Sequence, residues 1–168
     1  MSVVPKTLIQ AIGLTLLLSS VAYAGPKAGD RFGDWVYECE AKGANKEVCA
    51  LSHTIVAKES NERILKLTVG KLGRQGELAL VALLPLGIYL PGGVVGKVDK
   101  GKPFAFTLRV CTELGCEGAL LVDPKLRWSL KAGKTLSISF KARPRAEAIT
   151  LQIPLSGVSA GLKAVGEE

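Results

Sequence analysis

Between Asp34 and Glu40 the chain alternates. Trp35, Tyr37 and Cys39 fall on one side, and Asp34, Glu38 and Glu40 on the other. A period of two is the mark of a half-buried strand. Residues 48–57 (VCALSHTIVA) repeat the signal with β-branched residues, and 63–69 (RILKLTV) form a third strand. Residues 77–84 (ELALVALL) are almost continuously apolar, which suits a strand buried on both faces, although periodicity alone also allows a helix. Further strands are expected at 94–98, 104–110 and 118–122, and at 136–140, where Leu136, Ile138 and Phe140 point inward. Residues 149–153 alternate in the same way.

Glycine and proline punctuate these runs. Gly43-Ala44-Asn45-Lys46 and Asp99-Lys100-Gly101 read as hairpin turns, and 70–76 as a turn. Pro85-Leu86-Gly87 and Pro91-Gly92-Gly93 bracket an irregular crossing segment. Asp123 followed by Pro124 opens a short helix over 125–132, which Gly133 ends at C′. Ser156 is placed to cap a last helix over 158–165. The expectation is a mostly β chain: a single-domain β-sandwich with one or two short helices.

The first 24 residues follow a different rule. Lys6 precedes an apolar stretch from Leu8 to Leu18, and Ala22-Tyr23-Ala24 offers the small-x-small pattern of a signal peptidase site. Residues 1–24 are read as a secretory signal peptide and 25–168 as the mature β domain. The expected location is the periplasm, or secreted and outer-membrane associated. Export changes the meaning of the four cysteines, Cys39, Cys49, Cys111 and Cys116. An oxidising compartment and an even count favour two disulfides. Four cysteines allow three pairings, and loop-closure entropy does not choose among them. The turn residues between neighbours favour Cys39–Cys49 and Cys111–Cys116. Neither spacing suits a redox dithiol, which needs two intervening residues, and only the second pair is close enough for a zinc knuckle.

Charge and composition narrow the chemistry. The chain carries 22 basic and 15 acidic residues but one histidine, His53. That excludes sites needing several histidines, and no Gly-x-Ser-x-Gly elbow or phosphate-binding glycine loop occurs. His53 reads as a half-exposed strand residue. The rival reading is a carboxylate-based hydrolase acting on envelope polysaccharide, which needs paired acids; those present, such as Asp99, Glu113 and Glu117, fall mostly at turns or strand edges, which argues against it. No catalytic residue, metal or cofactor is assigned. The cations are clustered: Lys97, Lys100 and Lys102; Lys131 and Lys134; Lys141, Arg143 and Arg145. Lys97, Lys100, Lys102, Lys141, Arg143 and Arg145 form the candidate binding surface. The expected partners are an envelope or host protein, anionic lipid or lipopolysaccharide. Nucleic acid is not expected, since export and few aromatics argue against it. Trp35 is expected in the core; Trp128 is a candidate anchor.

Several short motifs occur together in a fixed order. They are Phe32-Gly33-Asp34-Trp35, Cys39 and Cys49, Leu84-Pro85-Leu86-Gly87, Leu90-Pro91-Gly92-Gly93-Val94, Cys111 with Gly115-Cys116, Leu130-Lys131-Ala132-Gly133-Lys134, and Pro154-Leu155-Ser156-Gly157. Their combination resembles the invasion-associated locus B family across the mature chain. Val158 stands where that family usually has an aromatic residue. The resemblance implies an exported protein of Gram-negative α-proteobacteria with a β-rich, disulfide-bonded sandwich. It also implies a link to host-cell entry, as in the founding members, and supplies no catalytic residues.

Overall fold

The structure, a computed structural model, describes residues 25–43 and 47–167. The expected signal peptide and the hairpin tip at 44–46 lie outside the described residues. The chain runs β1 (Arg31–Phe32), β2 (Trp35–Ala41), β3 (Glu47–Val56), β4 (Arg63–Gly70) and β5 (Ala79–Leu84). A crossing segment with one 3-10 turn, Leu90–Gly92, leads to β6 (Val94–Val98), β7 (Phe104–Thr112) and β8 (Gly115–Leu121). Helix α1 (Pro124–Ala132), β9 (Thr135–Phe140), β10 (Ile149–Pro154) and helix α2 (Val158–Ala164) complete the fold.

All ten strands form one antiparallel sheet, in the order β1-β2-β3-β4-β5-β8-β7-β6-β9-β10. The two layers of the expected sandwich are therefore halves of one curled sheet. Strand β7 joins them. Phe104 and Phe106 pair with β6, Thr107 onward pairs with β8, and the register slips between Leu108 and Val110. A bulge of this kind bends a strand and adds twist. The inward-facing side chains of both halves meet in one core. Trp35, Leu51, Leu65, Leu67, Leu80, Leu136, Ile138 and Ile153 have no solvent exposure there.

The ends of the sheet also meet. Trp35 is fully buried, and its Nε1–H donates to the carbonyl oxygen of Pro154 at 2.8 Å, bridging β2 and β10. Beside this contact the turn before α2 presses on the turn between β1 and β2. A Cβ on Gly157, whose φ is +87°, would fall 2.0 Å from the Phe32 carbonyl oxygen. Only glycine fits both the backbone angle and the space.

Both disulfides are of the local type. Cys39 faces Cys49 across β2 and β3, and Cys111 faces Cys116 across β7 and β8. Asp123 caps α1 as expected, its Oδ1 accepting from the Leu126 amide at 2.7 Å, with Pro124 in the first turn. Gly133 ends α1 as expected, with an extended backbone (φ −73°), and its missing side chain makes room for Val98, whose Cγ1 would lie 2.5 Å from a Cβ. One helix-end expectation needs correction. Helix α2 starts at Gly157 without a side-chain cap from Ser156, because the approach to Phe32 sets that turn.

Two stability outcomes follow. Trp35→Phe keeps an aromatic ring in the core but leaves the Pro154 carbonyl without its donor. It is expected to cost about 1–3 kcal/mol, read from the urea midpoint. Replacing Cys39 and Cys49 together by alanine is expected to cost about 2–3 kcal/mol in the same assay, from the loss of a short closed loop.

Candidate functional site

His53 lies on β3, with its Nδ1 2.8 Å from the Asp34 carbonyl oxygen and its ring centroid 5.7 Å from that of Trp35. A carbonyl only accepts, so Nδ1 carries a proton. The ring thus braces the turn that presents Trp35, a structural use of the chain's one histidine.

The six candidate cations do not form one patch. Lys97 lies on β6, and Lys100 and Lys102 follow it in the turn to β7. That turn is tied to the start of β9. Asp99 accepts from the amides of Lys134 at 3.0 Å and Thr135 at 2.9 Å. The Lys97–Lys102 and Lys131–Lys134 clusters therefore share one rim. Lys102 and Lys125 also line the same small cavity beside α1. Trp128 stands out from that helix with 71% of its surface exposed. Lys141, Arg143 and Arg145 follow the other end of β9, a strand's length of about 20 Å away. Among the described residues none of the six makes an ion pair.

A further cationic group was not marked by any charge cluster in the sequence. Strand β5 is not buried on both faces, as its apolar run implies; only one face meets the core. Leu80, Ala82 and Leu84 enter the core, while Val81 and Leu83 lie half-buried on the opposite, open side. The segment between β4 and β5 overhangs this face. Its Gly73 amide bonds to the Glu77 carbonyl oxygen at 3.0 Å, and the Gln75 amide to Glu77 Oε2 at 2.9 Å. The amides of Glu77 itself and of Gln75 hold the exposed Glu77 carboxyl below the usual carboxylate range. Three cavities adjoin there, of about 1070, 420 and 340 Å³, and Leu72 and Arg109 line all three. The largest also takes in Lys42, Lys71 and Arg74, with Glu47 its one acid.

Carboxylates reach this face too. Glu38, Glu40 and Glu117 line the smallest of the three cavities. Glu38 pairs with Lys66 at 2.7 Å and Glu117 with Arg109 at 3.4 Å. Partial burial pushes the Glu38 carboxyl up, but hydrogen bonds from Lys66 and Ser52 and the Lys66 charge outweigh it and leave it lowered. A glycosidase acid needs the opposite shift. The sign for stability follows. A carboxyl lowered in the folded state contributes above its unfolded pKa, and that contribution is lost as pH falls through the folded value. Glu38→Gln is therefore expected to flatten the acid limb of a stability–pH curve and to leave the slope above neutrality unchanged, measured by thermal melting.

No curated protein matches the chain. Among solved structures, the crystal structure of invasion associated protein B from Bartonella henselae is similar. The TM-score is 0.70 at 26% identity, over 81% of this chain and 92% of that one. Residues 35–166 match the family model for the Invasion associated locus B (IalB) protein. That span runs from the tryptophan that closes the sheet to just past α2, and over it the protein belongs to the invasion associated locus B family.

Proposed function

We propose that this protein is an exported, non-enzymatic envelope component that binds a protein or an anionic envelope surface, with a link to host-cell invasion. Residues 1–24 serve as the export signal, and the mature domain resides in the periplasm or at the outer membrane. The invasion link is supported by the family match and by the likeness to the Bartonella protein. One observation carries the binding role. The described carboxylates that pair do so with Lys66, Lys71, Arg109 and Arg127, while Lys97, Lys100, Lys102, Lys141, Arg143 and Arg145 are left facing solvent or partly covered without an acidic partner. Unneutralised cations suit an anionic surface, and the exposed Trp128 on α1 offers an indole ring that tolerates the boundary between apolar and wet surroundings.

The test is co-sedimentation with anionic vesicles or lipopolysaccharide, paired with cross-linking in intact cells. Each lysine at a lipid surface contributes about 1 kcal/mol. Replacing Lys97, Lys100 and Lys102 by glutamine should then weaken vesicle binding on the order of a hundredfold, and added salt should weaken it further. Unchanged vesicle binding in that variant, together with no recurrent cross-linked partner, would remove the proposal.

A further inference from the structure

We propose that the outer face of β3, β4, β5 and β8 binds an anionic amphiphile: a phosphate or carboxylate head held by Lys42, Lys71, Arg74 and Arg109, with an aliphatic chain laid along the sheet. This deepens the envelope-binding reading by naming a ligand class, and it uses a surface separate from the six candidate cations.

The argument starts from a feature that the fold leaves unexplained. An antiparallel sheet with one face on the core and one in water should alternate apolar and polar residues. Strand β5 does not, although its outer face is covered by no other layer of the sheet. Val81 and Leu83 on β5 and Ala119 and Leu121 on β8 line the two smaller cavities, with Val48 and Ala50 on β3 beyond Thr68 of β4, and Glu38, Glu40 and Glu117 stand at the margin of the smallest. Leu121 is 60% exposed. The floor is shallow because its side chains are small. Gly70 sits against Ala50 so closely that a Cβ would lie 2.7 Å from the Ala50 Cβ. An aliphatic chain laid here would shield apolar surface that water now covers, which is the favourable direction of transfer.

The head-group end is defined by charge. Four cations line the largest cavity against one acid, Glu47. Among the described residues Lys42 and Arg74 have no ion-pair partner, Lys71 reaches Glu167 only at 4.0 Å, and Arg109 meets Glu117 at 3.4 Å. Arg109 stands where the β7 register slips, so the bulge aims its guanidinium at the junction of the three cavities. Leu72 lines the same junction, carried by the segment that Glu77 folds. Head and chain would thus be held on either side of one arginine. Charge-assisted hydrogen bonds to phosphate or carboxylate are the strong kind, and guanidinium groups match such oxygens in pairs.

Butyl phosphate and dodecyl phosphate, the latter below its micelle concentration, are titrated into the purified protein. Calorimetry gives affinity, and amide NMR shifts locate the ligand. The expected result is binding that tightens at least about tenfold from butyl to dodecyl, with shifts at Leu72, Val81 and Ala119. Lys42→Gln with Arg74→Gln should weaken dodecyl phosphate at least about tenfold. Arg74→Lys beside native Lys42 should retain most of the affinity, and the Lys97, Lys100 and Lys102 triple variant should bind like the native protein. Affinity indifferent to chain length, or an unaffected Lys42/Arg74 variant, would overturn the proposal. So would self-association that Val81→Asp abolishes in a protein that ignores dodecyl phosphate, since a second copy would then cover this face. Dodecyl phosphate binding at Val81 without any vesicle binding or captured partner would sink the broader envelope role and leave this site standing.

Discussion

A ten-stranded sheet with two unpaired ends is stable only if its ends are dealt with, since a free edge invites pairing with other chains. Here one side chain links them. Trp35 fills the core from β2 and gives its indole proton to Pro154 at the far end of the strand order, 119 residues away. The curl that results lets the two halves of the sheet share one core, and it brings β1 and its turn against the start of α2. His53 braces the turn that offers Trp35, and Gly157 lets the backbone come close enough. The closure thus depends on a small set of residues, each with a distinct physical task.

The local order was largely legible in the sequence. Alternation at Trp35, Tyr37 and Cys39, and again at Leu136, Ile138 and Phe140, marks strands and gives their buried faces correctly. The Asp123–Pro124 start of α1 and the two local disulfides were readable from residue type and spacing. The two-residue strand β1 was not, being too short to show a period. Nor was the curl, because a period of two says which way a side chain points but not which distant strand it will meet. The end of α1 at Gly133 was readable, but not the nearness of Val98, which leaves no room for a side chain there and is a contact invisible along the chain.

The same limit applied to binding surfaces. Runs of lysine such as Lys97, Lys100 and Lys102 announce themselves, and the structure splits them between two rims. Lys42, Lys71, Arg74 and Arg109 lie far apart in sequence, and no window collects them. Their trace was indirect: the uninterrupted apolar run of β5. That run reads as burial on both faces, yet only one face meets the core. Apolar residues that the core does not use are better pointers to a second contact than any count of charges.

The covalent links have a bearing on the order in which such a chain is assembled. Each disulfide joins partners within a single hairpin, separated by 10 and 5 positions. Each can therefore be oxidised as soon as its own hairpin has formed, and neither awaits the C-terminal part. The Trp35 contact has the opposite requirement, for its acceptor is Pro154 and nearly the whole chain must arrive first. Assembly then has a built-in order, with staples set early and locally and the closing of the sheet reserved for last. A chain stalled partway would be oxidised in part yet still open, with its apolar inner face in water.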